Sequence, residues 1–193
     1  MIVIDFEISG NNGIISTAFN KLEIKTFAEA CKWVNDLDYS RNNEKHNKLI
    51  LFEELCGTCS TKHALLKRLA DENDNTSIKL FLGIFTMNGE NTPAIKYVLD
   101  KYNLEYIPEA HNYLRYHNDR LDFTGIGVDE TKFKLDLLEE IEISPDQITE
   151  YKVQYHKNYI SHWIETNKIP YTLDELWKIR EKCIEALAHF SKN

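Results

Sequence analysis

Three residues between Cys56 and Thr124 are of the types that acyl transfer through a thioester requires. Cys59 stands in Gly57-Thr58-Cys59-Ser60, at the expected start of a helix. His111 lies inside the apolar strand pattern Glu109-Ala110-His111-Asn112-Tyr113-Leu114, and Asp122 follows in Leu121-Asp122-Phe123-Thr124. A thiol nucleophile, an imidazole base and a carboxylate that orients the base make up such a triad. The thiolate is the reactive form, and a helix N-terminus favours it through unpaired N–H groups and the helix dipole. In that position the backbone N–H of Cys59 would face a developing oxyanion, with Thr58 or Ser60 capping the helix. Asp122 comes eleven residues after His111, the separation of facing residues in a tight hairpin. It would accept from one ring nitrogen and leave the other for the thiol.

The neighbours of Cys59 admit other chemistry. Cys56 and Cys59 form a C-x-x-C, which reads as a redox pair or, with His63, as three zinc ligands. A redox site of that kind sits in a strand–helix–strand crossover, which a hairpin downstream does not supply. A zinc site lacks its fourth ligand. Cys56 is also placed to act as a resolving cysteine for a sulfenic acid on Cys59. His63 falls one turn after Cys59 on the same helix face and reads as a cleft-lining or solvated histidine rather than as the base. Lys62 and Lys67 read as solvated.

The segments Gly57-x-Cys59 before an apolar helix, His111-Asn112-Tyr113, and Leu121-Asp122-Phe123-Thr124 together resemble the three motifs of the transglutaminase-like superfamily, a branch of the papain-like cysteine enzymes. The resemblance covers about residues 49–125. It implies a papain/transglutaminase-like core: a nucleophile helix packed on an antiparallel sheet, with the histidine and aspartate on neighbouring strands. It implies amide crosslinking, hydrolysis or deamidation through Cys59, His111 and Asp122, on a peptide or an amide-containing small molecule, with no cofactor. This chain has Ser60 where the family often has an aromatic residue, and His-Asn-Tyr and Asp-Phe-Thr where it often has His-Ala-Trp and Asp-Pro-Thr. Glu53 and Glu54 precede the cysteine where papain-like enzymes carry a polar oxyanion-hole side chain. A carboxylate there would repel an oxyanion unless protonated. Some members of the superfamily have lost catalysis, so a non-catalytic binding module on the same fold is the alternative.

The elements that must position these residues are legible in outline. Thr26-Phe27-Ala28-Glu29 is a capping box opening a helix whose apolar positions make Cys31 a core residue. The N-terminal Met1–Ile8 reads as a strand, and Asp38 to Lys48 as an exposed loop. Leu49 to Phe52 forms a short buried element, Ser60 to Glu72 a helix, and Ile78 to Met87 a central strand. Asn91-Thr92-Pro93 starts another helix. His111 to Tyr116 and Arg120 to Thr124 pair as a hairpin. Ser144-Pro145-Asp146-Gln147 opens a helix to about Asn167, and Thr172-Leu173-Asp174-Glu175 opens the last. Tyr151, Tyr155, Tyr159 and Trp163 lie on one helix face packed on the core. His156 and His162 fall at the surface or a cleft edge. The whole predicts an α+β chain forming a single domain, 1–193, with a core of about 1–143 and a helical pair at 144–193 packed on it.

Composition narrows the function classes. With 193 residues, 42% hydrophobic and 28% charged, the chain has enough apolar mass for a core of its own. A net charge of −8 opposes binding to nucleic acid or to an anionic membrane. No apolar run reaches the roughly 20 residues a membrane-spanning helix needs. Four cysteines are too few and too scattered for a disulfide framework. The cytoplasm is the expected location, and nothing in the sequence speaks to oligomeric state.

Overall fold

A computed structural model describes residues 4–125 and 136–190 and has an α+β fold. Its main sheet has four antiparallel strands in the order β5-β4-β3-β6: β3 Ile78–Asn88, β4 Tyr106–Tyr116, β5 Asp119–Leu121 and β6 Leu137–Ile143. As its apolar pattern predicts, β3 is internal. The hairpin also forms, with Leu114 opposite Leu121 and Tyr116 opposite Asp119. Its second strand stops at Leu121, however, so Asp122 lies beyond the ladder. His117 makes the turn with φ of 51°.

The chain divides into two compact units. The first comprises Met1–Leu82, Asn112–Gly127 and Glu142–Thr149; the second comprises Gly83–His111, Val128–Ile141 and Glu150–Asn193. The C-terminal helices therefore share a unit with the middle of the chain.

In the first unit α1 (Ile14–Lys21), α2 (Phe27–Asp36) and α3 (Ile50–Glu54) pack on α4 (Cys59–Glu72). The capping box of α2 forms as expected: Glu29 N–H donates to Thr26 Oγ1 and Thr26 N–H to the Glu29 carboxylate. Cys31 is buried on its inner face. In place of the N-terminal strand, Ile4–Ile8 makes one isolated bridge, Glu7 opposite Thr26; Met1–Val3 lie outside the described residues. Helix α1 gave no local signal because its cap is remote. The carboxylate of Glu72, at the far end of α4, accepts from Ile15 N–H at 3.0 Å, Ser16 N–H at 2.7 Å and Ser16 Oγ at 2.7 Å. The predicted loop at 38–48 holds a two-residue strand, β1 (Asp38–Tyr39), parallel to β2 (Cys56–Gly57).

The second unit closes around an apolar cluster. Met87, Ile95, Val98, Leu99 and Ile107, from β3, β4, α5 (Lys96–Lys101) and the 3-10 turn before α5, meet residues of the last two helices. Those are α6 (Glu150–Asn167), which supplies Ile160 and Trp163, and α7 (Leu173–Phe190), which supplies Leu176, Ile179 and Cys183. The Ser144 box opens a 3-10 turn, Pro145–Gln147, and the helix proper begins only at Glu150. Along the tyrosine stripe Trp163 is buried and Tyr151 is exposed, so only the C-terminal end faces the core. His156 is buried, against the expectation of a surface position. Its Nε2 donates to the Pro108 carbonyl at 2.8 Å, and burial holds the imidazole below its ordinary pKa, in the neutral form. His162 is exposed, as its position predicts.

Candidate functional site

Helix α4 is buried almost all round, from Cys59 to Ala70. A helix enclosed on every side is normally apolar, yet its first turns carry Ser60, Thr61, Lys62 and His63, and all four are buried. Burying polar groups costs free energy unless each is hydrogen-bonded, and each of these has a defined partner. Ser60 Oγ donates to Asn112 Oδ1 at 3.0 Å, and Asn112 Nδ2 donates in turn to the Phe81 carbonyl on β3. Thr61 Oγ1 accepts from Thr58 N–H, the half of a capping box contributed by the third helical residue, and donates to Asn42 Oδ1 at 2.7 Å. Lys62 Nζ donates to the Leu37 and Thr124 carbonyls at 2.6 and 2.8 Å.

Lys62 and Lys67 are therefore not solvated, as spacing alone implied. Burial pushes the Lys62 ammonium down to about 8. Two carbonyl acceptors need only two donors, which the neutral amine also provides. Lys67 pairs with Asp71 one turn on.

Cys59 is the first residue of α4, where the sequence puts it, and its side chain is largely enclosed, at 5% exposure. The sulfur lies 4.0 Å from Ser60 Oγ. Gly57 is required by close packing: a Cβ there would sit 2.9 Å from Thr61 Oγ1 and 3.2 Å from Lys62 Cγ.

His63 is neither cleft-lining nor solvated, because it has no exposed surface. Its Nε2 accepts from the Phe123 backbone N–H at 2.8 Å, and a backbone N–H only donates, so Nε2 carries no proton. The ring proton is then on Nδ1, which faces the Cys59 carbonyl at 2.8 Å. With its nitrogens so engaged, His63 is in no position to take the Cys59 proton. It is equally unfit as a zinc ligand, which removes the third donor from the Cys56–Cys59–His63 option. No cluster of three or more metal-ligating side chains occurs among the described residues.

Asp122 is brought to this same helix. Its Oδ1 accepts from Thr124 N–H at 2.9 Å and lies 3.6 Å from His63 Nε2. The His63 contact was not legible from spacing: the signal, an i+4 histidine after the cysteine, fits solvated and structural roles equally well. His111 belongs to the second unit, where its ring meets the Phe85 ring edge-on at 6.2 Å.

The remaining candidates serve local structure. Glu54 accepts from Asn42 Nδ2 at 2.9 Å and Asn43 Nδ2 at 2.7 Å, and Glu53 accepts from Asn47 Nδ2 at 3.0 Å. Both carboxylates thus anchor the loop before α3 rather than facing the start of α4. Glu54 sits below the ordinary carboxylate range because of those side-chain donors. Cys56 is half-buried on β2 with its sulfur 3.8 Å from Asn42 Nδ2. Burial and the Glu54 and Asp38 charges raise its thiol pKa. All four cysteines are free thiols. Burial raises Cys31 far out of the useful range and Cys183 to about 12.

Among the described residues no helix is long and apolar enough to cross a membrane. The chain matches no protein-family model, no curated protein and no solved structure.

Proposed function

We propose that this protein is a cysteine-dependent acyltransferase or amide hydrolase of transglutaminase-like, papain-like architecture, acting in the cytoplasm on a peptide or an amide-containing small molecule. Cys59 is the nucleophile, His111 the base and then the acid, and Asp122 the orienter. The observation that carries the reading is that one buried helix both begins with Cys59 and holds the Asp122 segment through Lys62 and His63. The other three thiols have raised pKa values, which makes them poor nucleophiles at neutral pH.

In the proposed reaction His111 takes the thiol proton and the sulfur adds to the amide carbonyl. The C–N bond then breaks as His111 returns the proton to the departing amine, leaving the acyl group on sulfur as a thioester. Water or a second amine attacks that carbonyl and gives a proton to His111, which passes it to the departing sulfur and so restores the thiol and the neutral imidazole. N–H groups of the first turn of α4 are the donors for the oxyanion. No step needs a cofactor.

One observation favours a second reading, a non-catalytic binding module: the thiol is largely enclosed. Iodoacetamide labelling near pH 6.5, followed by peptide mass spectrometry, separates the two. Catalysis predicts that Cys59 labels at least about tenfold faster than Cys31, Cys56 or Cys183, as a depressed pKa would dictate. Equal or absent labelling at Cys59 refutes the nucleophile and leaves the module. The pKa of Cys56 also bears on its resolving role, because a raised thiol attacks a sulfenic acid slowly at neutral pH.

A further inference from the structure

Asp122 has no strand ladder to hold it, since β5 ends at Leu121. What fixes it comes from α4. His63 accepts the Phe123 N–H, Lys62 Nζ donates to the Thr124 carbonyl, and both side chains are fully buried. The next residue, Gly125, has φ of +74°, and a Cβ there would lie 2.3 Å from the Asn35 carbonyl oxygen, so the segment is also pressed against the end of α2. Placing an imidazole and an ammonium where leucines would pack carries a desolvation cost. In return the 122–125 main chain is fixed with directional bonds, which apolar packing does not provide. The ring that receives Phe123 also bonds the carbonyl of Cys59.

We propose that His63 is a positioning residue: its ring locks the Asp122–Phe123 main chain to the first turn of α4 and so fixes the orienting carboxylate relative to the nucleophile. This rests on the triad proposed above. His63 takes no part in proton transfer; it acts through Asp122. Two substitutions separate the contacts of the ring. In His63→Gln the amide oxygen reaches the place of Nε2 and still accepts from Phe123 N–H. In His63→Asn the amide falls at the place of Nδ1, so the bond to the Cys59 carbonyl survives and the latch is lost.

The test measures two things on the full chain: hydrogen exchange of the Phe123 amide, and the pH profile of Cys59 alkylation by iodoacetamide. His63→Asn is expected to speed Phe123 exchange at least about tenfold and to move the Cys59 profile up by about one pH unit, a tenfold loss of thiolate at a given acidic pH. His63→Gln is expected to stay within about twofold of the parent in both. Unchanged exchange in His63→Asn overturns the latch. Faster exchange with an unchanged Cys59 profile overturns the positioning role and leaves a structural one. If the parent Cys59 already titrates as an ordinary thiol, near 8.5, the triad fails, and the positioning role fails with it, whatever the exchange data say of the latch. Should His63→Asn not fold, nitrogen-15 spectra of the parent decide the matter. The Nδ1–H form of His63 across about pH 5–8 supports the lock, and an Nε2–H form overturns it.

Discussion

Arg180→Leu should be among the most damaging single substitutions in the second unit. Arg180 Nε donates to Glu109 Oε2 at 2.7 Å and Nη2 donates to Oε1, with side-chain exposures of 14% and 8% for the two residues. Burial by itself would raise the Glu109 carboxyl. The Arg180 guanidinium outweighs burial and holds the group at about 2, below the ordinary 4.5. Removing the guanidinium strands a buried carboxylate, which costs about 3–5 kcal/mol. A chain of this size loses roughly 2–4 °C of Tm per kcal/mol, so the expected drop is roughly 6–20 °C. The double variant Glu109→Leu/Arg180→Leu removes both charges and should recover at least half of that loss, because an apolar pair of similar volume avoids desolvation. Thermal and urea melts followed by circular dichroism and tryptophan fluorescence give both numbers. The pH dependence has a definite sign. In the parent, the contribution of Glu109 is complete above pH 4.5 and is lost as pH falls toward about 2. In Arg180→Leu the raising effect of burial on Glu109 is opposed only by the smaller contributions of His156 and Lys152, so the carboxyl takes up a proton above 4.5 and the deficit of the variant shrinks on acidification from pH 7 to about 5. A Tm change under about 2 °C, a deficit that grows toward pH 5, or a double variant as unstable as the single would refute the assignment.

Other perturbations report on the first unit. Glu72→Ala removes three hydrogen bonds from the start of α1, at about 1 kcal/mol each and roughly 6–12 °C of Tm in total; a loss no larger than that of an exposed acid would show that α1 is capped by other means. Lys62→Met tests the depressed ammonium. A lysine whose folded pKa is lowered from 10.5 to about 8 contributes its full stability above 10.5 and loses it as pH falls to about 8. The stability of the parent relative to Lys62→Met should therefore rise between pH 8 and 10 in paired urea melts, and a flat difference would mean that Lys62 titrates as an exposed lysine.

The sequence discloses what is locally encoded. Thr26 with Glu29 and Thr172 with Glu175 place two helices because cap and partner lie three residues apart. The alternation around Tyr113 and the polar 117–119 turn disclose the hairpin. Helix α1 stayed hidden because its cap, Glu72, is more than fifty residues away. Strand β6 was missed because the Leu-Leu and Glu-Glu pairs of Leu-Leu-Glu-Glu-Ile-Glu-Ile break the alternation of apolar and polar residues that marks a half-buried strand. At the candidate site, the start of α4 at Cys59 followed from spacing. The burial of Lys62 and His63 did not, because residue type argues for solvent and only the Asp122–Gly125 segment, some sixty positions on, supplies their partners. The same distance hid the company Asp122 keeps: the hairpin pattern points along the strands, whereas the contact that fixes its main chain comes from the helix.

The interleaving of the two units has a consequence for biosynthesis. The chain passes from one unit to the other five times, at residues 82, 111, 127, 141 and 149. A ribosome that has released the first 82 residues has delivered α4 with its lysine and histidine but not the 122–125 segment that satisfies them, nor the Asn112 that pairs with Ser60. The second unit is further delayed, because half of its apolar cluster comes from α6 and α7. Until translation passes about residue 150, the nascent polypeptide carries buried-type polar groups without their mates and apolar strands without their cover. Such intermediates are sticky and slow to resolve. Production of this protein should therefore respond strongly to growth temperature and to chaperone supply, and a single cut between residues 83 and 149 would leave neither unit whole.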